Sequence, residues 1–141
     1  MLEFIREIGQ GGAAVLLGLA TGAGWVAAVV APNCFYDGLD AGRADRQVRN
    51  LLKDVSAPTA LLLCAAAALG FLGGAIGAAI CAGLAALGFF ANAWTLAPSK
   101  KSEKPKGVRQ RHKTKRIVAV GLTLMFTAVA AIGAVLAVFG V

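Results

Sequence analysis

At 141 residues the chain has room for one domain, yet 58% of it is hydrophobic and only 15% charged. That balance excludes a soluble domain of this size, which needs more polar surface. Its 14 Lys and Arg outnumber 7 Asp and Glu, so a strongly basic side is also expected.

Three runs, 8–32, 57–97 and 117–141, contain no Lys, Arg, Asp, Glu or His. The opening MLEFIREIGQGG carries Glu3 and Glu7 beside Arg6 and lacks the basic start and small-residue cleavage site of a secretory signal. It therefore leads into a retained first span, 9–32. Within that span Gly18 and Gly22 form a G-x-x-x-G pair, with Gly11 a heptad before Gly18. Lipid offers no hydrophobic drive for helix association, so small residues that let backbones approach replace it. Packing inside the bundle is the expected use of these glycines, ahead of a seam with a partner. Trp25 is expected to pack in the bundle too, ahead of a contact with lipid, partner or pigment.

From Asp40 the sequence DAGRADRQVRNLLKDV sets Ala44, Val48, Leu51, Leu52 and Val55 on one stripe at helical spacing. Arg43, Arg46, Arg49 and Lys53 lie elsewhere around it. Asp40 suits an N-cap, and Asp37 with Gly38 suits a turn before it. Residues 40–55 read as a short amphipathic helix on the membrane surface. Equally, they read as a continuation of helix two packed on the bundle and interrupted near Ser56 and Pro58.

The run 57–97 is too long for one crossing. As a single helix it would extend roughly 60 Å, about twice the roughly 30 Å of a hydrocarbon core. The stretch GFLGGAIG at 70–77 supplies the break, because Gly73 and Gly74 accept positive φ and glycine commonly follows a helix end. Two spans result, 57–73 and 75–97. Cys64 and Cys81 then lie at similar depth on neighbouring helices and read as small core residues. With Cys34 on a reducing side, no disulfide framework or metal-ligand spacing is expected. Asn92, with Asn33, Tyr36 and Trp94, gathers toward the basic interface, where Trp and Tyr commonly form a belt.

Residues 99–116, SKKSEKPKGVRQRHKTKR, have no apolar stripe and read as a flexible basic loop. Lys100, Lys101, Lys104, Lys106, Arg109, Arg111, Lys113, Lys115 and Arg116 all lie in it. Near an anionic leaflet each contributes on the order of 1 kcal/mol. Anionic headgroups or an acidic partner suit such a loop; nucleic acid does not, because no aromatic residue offers a stacking platform. The simplest reading is a topology signal. The fourth span is 117–139. Every Lys and Arg except Arg6 then falls on one side, which the positive-inside rule makes cytoplasmic. Both termini face the periplasm of a bacterial inner membrane.

Chemistry is hard to assemble from these residues. No ionisable side chain lies at membrane depth, which counts against a proton-coupled exporter. C-x-x-C is absent, and His112 is the only histidine, so bis-His haem ligation within one chain fails. A Ser-His-Asp set has no geometric claim either. No cofactor is expected.

The segments GWVAAVVAPNCFYDGLDAGRADRQV, FFANAWTLAP and RHKTKRIVAV resemble the bacterial transmembrane proteins of domain of unknown function 4149, relatives of eukaryotic transmembrane protein 205. Trp25, Pro32, Phe35, Asn92, Pro98 and His112 are the matching positions. The aromatic Phe-Pro pair that this family carries at the entry to helix two is absent; Val55 and Pro58 stand there. The resemblance implies a small four-helix membrane protein and no established activity.

The sequence thus points to an all-α integral membrane four-helix bundle with an amphipathic cytoplasmic segment between helices one and two. A non-catalytic packing or accessory subunit of a larger membrane assembly is the leading role. An oligomeric transporter or channel, with a pore lined by Thr21, Asn92, Thr123 or Thr127, is the alternative.

Overall fold

The computed structural model describes residues 1–33, 41–96 and 108–141, and for 32, 41, 42, 44, 45 and 108–116 the backbone alone. Helix α1, Leu2–Trp25, runs without interruption into a π-helical turn, Val26–Val30, and a last α turn, Ala31–Asn33. Helix α2 is Ala41–Leu72, α3 is Ile76–Leu96 and α4 is Val108–Phe139. All four contain a stretch long and apolar enough to cross a membrane: Leu2–Val30, Arg46–Leu72, Ile76–Leu96 and Ile117–Phe139. The chain is an all-α, multi-pass integral membrane protein.

The helices run up and down in order around a ring. Each packs along its sequence neighbours, α4 closes the ring against α1, and diagonal pairs barely touch. The interior is made of small residues, chiefly Ala13, Ala20, Ala60, Ala66, Ala78, Ala82, Ala85 and Ala130, with Leu17, Leu63 and Phe89 filling the remaining volume. Large apolar side chains such as Leu19, Leu61, Leu87 and Ile132 point outward. That inversion follows from the solvent: lipid tails welcome Leu and Ile, while the helices need small surfaces to approach.

The turn expected in GFLGGAIG is present. Gly74 has φ of 75°, a conformation that costs an ordinary L-residue roughly 1–2 kcal/mol. Its N–H donates to the Phe71 carbonyl at 3.1 Å and that of Ala75 to Gly70 at 2.9 Å, satisfying carbonyls at the end of α2. The end of α4 repeats the device. Gly140 has φ of 70°, its N–H donates to Ala137 and that of Val141 to Leu136. The Val141 carbonyl in turn accepts from the Ala78 N–H at 3.1 Å. An orphan donor in the first turn of α3 is therefore capped by the end of α4.

Two boundaries differ from expectation. Residues 41–55 are neither a separate surface helix nor set off by a break; they are the first part of α2. Val48 and Leu52 are buried against Ala27, Leu96 and Ala119, with Val55 beside them, and Leu51 stays exposed. The amphipathic face lies on the bundle. Pro58 sits inside this helix, where its missing N–H leaves the Asp54 carbonyl without its usual partner. Beside it, the hydroxyls of Ser56 and Thr59 donate to the Leu52 and Val55 carbonyls, and flanking helices support the rest.

The basic loop is also shorter than expected, because α4 begins at Val108 rather than Ile117. Pro105 and Gly107 are the last breakers before it. The Arg, Lys and Gln that follow are good helix formers, and extending an existing helix avoids the cost of nucleation. Lys100, Lys101, Lys104 and Lys106 lie outside the described residues, as do Cys34, Phe35, Tyr36 and Pro98.

The π turn has a local cause. Pro32 has no N–H to donate to the Ala28 carbonyl. The backbone responds by widening, and the Ala31 N–H reaches back to Val26.

Candidate functional site

The ends of the bundle are built differently. At the turn end α1 and α2 meet backbone to backbone. A Cβ added to Gly9 would lie 2.7 Å from the Gly73 nitrogen and 2.9 Å from the Leu69 carbonyl oxygen. One added to Gly73 would lie 2.7 Å from the Gln10 nitrogen. No side chain fits between them. Gln10 then crosses the seam and donates from Nε2 to the Gly73 carbonyl at 3.0 Å, while its amide also covers Gly140.

Toward the basic end the interior becomes polar. Ser56 and Thr59 on α2, Asn92 on α3, and Thr123 and Thr127 on α4 are all buried. The Asn92 Nδ2 group donates to Thr123 Oγ1 at 2.9 Å and to Ser56 Oγ at 3.4 Å. One amide thus ties three helices. The Thr123 hydroxyl donates to the Ala119 carbonyl and the Thr127 hydroxyl to that of Thr123, both at 2.7 Å. Asn92 Oδ1, fully buried, has no hydrogen-bond partner among the described residues. Here α4 also closes tightly on both neighbours: a Cβ on Gly24 of α1 would overlap the Thr127 hydroxyl, and one on Gly88 of α3 the Phe126 ring.

Several expected roles change. Gly11, Gly18 and Gly22 do not pack inside the bundle, since nothing lies within 4 Å of where their Cβ atoms would be. They form an outward face of α1. Gly73 does serve as a contact, and Gly74 serves through its φ. Gly9, Gly24, Gly88 and Gly133 do the close packing instead, and the sequence reading missed them. Trp25 is 56% exposed, so its expected bundle packing is not found; Trp94, at 84%, also points outward. Asn92, in contrast, is 1% exposed and separates from the interfacial group. Asn33 is exposed and bonds to the Val29 carbonyl of its own helix.

Cys64 is exposed and Cys81 is half-buried beneath Gly133. Thr21, half-buried on α1, donates to the Leu17 carbonyl at 2.7 Å. Arg43, Arg46, Arg49 and Lys53 follow the first turns of α2. Arg109, Arg111, His112, Lys113, Lys115 and Arg116 fall on the helical start of α4, at the same end, with side chains outside the described set. Among the described residues no three of His, Cys, Asp or Glu come together as a metal site would require.

No family model matches the chain, and neither does any curated protein or solved structure.

Proposed function

We propose that this chain is a non-catalytic packing or accessory subunit of a larger membrane assembly in a bacterial inner membrane. Its basic end lies in the cytoplasm against anionic headgroups or an acidic partner. One observation carries the reading: α1 turns Gly11, Gly18 and Gly22 outward, with open space where side chains would be. The bundle is sealed by other glycines and gains nothing internally from these three. Between membrane helices, close backbone approach is the principal source of attraction, and a face without side chains suits the helix of another subunit. The transporter reading is weaker on geometry, because Asn92, Thr123 and Thr127 turn into one bundle and copies could not share them as a pore lining.

Native mass spectrometry after mild extraction tests the proposal. Heavier bound subunits are expected with the unaltered chain and their loss with Gly18→Val combined with Gly22→Val, the fold remaining intact. A lone chain, or a complex indifferent to both substitutions, rejects it.

A further inference from the structure

We propose that Asn92 Oδ1 anchors a buried site for a neutral hydrogen-bond donor, filled by one water molecule enclosed between α2, α3 and α4.

A hydroxyl carries one proton. Those of Ser56, Thr59, Thr123 and Thr127 are all committed to carbonyls one turn back in their own helices. What these side chains offer the interior is lone pairs. The Asn92 amide is oriented accordingly, its Nδ2 protons meeting the oxygens of Thr123 and Ser56. Rotating the amide would set Oδ1 against two oxygens with no proton to give. That orientation suits the hydroxyls, and it leaves Oδ1 as an acceptor on a side chain only 1% exposed.

A buried carbonyl-type oxygen without a donor is costly, so it calls for a donor from outside the chain. A cation would also be attracted to oxygen. The buried polar side chains here are Ser56, Thr59, Asn92, Thr123 and Thr127, however, and no buried carboxylate stands among the described residues to balance a charge in a low-dielectric interior. A neutral donor remains. The surroundings are closed to anything large, since each of the five residues is at most 3% exposed. Water is the small donor that carries two protons, and a buried water needs two or more polar partners. A water's second proton asks for a second acceptor, and the hydroxyls of this layer, their own protons spent on carbonyls, still offer lone pairs.

Crystals of the full chain in lipid, at a resolution that shows ordered water and with sodium replaced by thallium, give the test. The expected result is one density peak about 2.8 Å from Asn92 Oδ1 with no anomalous signal. An anomalous peak there would make it a cation site, and a well-ordered Oδ1 that is dry or meets a protein donor would equally sink the idea. Infrared spectra in ordinary and heavy-oxygen water give a second reading. An isotope-shifted O–H band of a strongly held water is expected in the unaltered chain and lost in Asn92→Leu. Its absence from both, or persistence in both, overturns the proposal. Should Asn92→Leu fail to fold, the diffraction result on the unaltered chain still decides.

Discussion

The turn end and the basic end solve one problem by opposite means. At the turn end Gly9 and Gly73 remove every side-chain atom so that main chains touch. At the other end Asn92 keeps a polar side chain between the helices and bonds across α2 and α4. The first joint depends on shape and tolerates no added atom. The second depends on hydrogen bonding, which in membranes averages well under about 1 kcal/mol per contact. Helix association in lipid therefore leans harder on missing atoms than on polar ones.

Gly9→Val should break the comparison open at its strongest point. Its added atoms meet backbone, which cannot rotate away, so a loss of about 3 kcal/mol is expected, read as a collapse of the thermal melt in detergent. Gly74→Ala is a lesser insult at the same end, because space is available and only the positive φ is penalised. A cost of roughly 1–2 kcal/mol in the same melt would agree with that. At the polar end, Asn92→Ala should cost about 1 kcal/mol; a loss as large as that of Gly9→Val would show the amide, not close approach, to be the stronger joint. The smallest effect belongs to the outward face. Gly11→Val should leave the melt within about 0.5 kcal/mol, and a large drop would mean that the face is engaged inside the fold.

Much of this architecture is legible in the sequence. Charge-free runs and the length of 57–97 give four crossings, and the paired glycines at 73 and 74 give the turn. Thr21, Asn92, Thr123 and Thr127 stand out in the sequence as polar residues on apolar helices, which suggests a pore lining; that Asn92 and Thr123 meet Ser56 inside one bundle is not legible there. What could not be read is which side of a helix faces inward. In water the contrast between polar and apolar faces reveals it; in lipid both sides of α1 are apolar, and Gly18 looks no different from Gly24. Gly9 had one usable signal, since it precedes Gln10 at the level of the Gly73 turn once the helices are set antiparallel. Ser56 and Thr59 were obscured by Pro58, which invited a break where the helix continues. The starts of α2 and α4 were obscured because charge marks where a span leaves the lipid, not where a helix stops.

The hydrogen bond from Ala78 to the Val141 carbonyl has a mechanical consequence. With Gln10 covering Gly140, the last turn of α4 is held by both neighbours, and sliding α4 along its axis would break the bond to Ala78. At the opposite end, where α1 carries its widened π turn, the helices are joined instead by side chains: the Asn92 amide and the packing of Val48 and Leu52 against Ala27, Leu96 and Ala119.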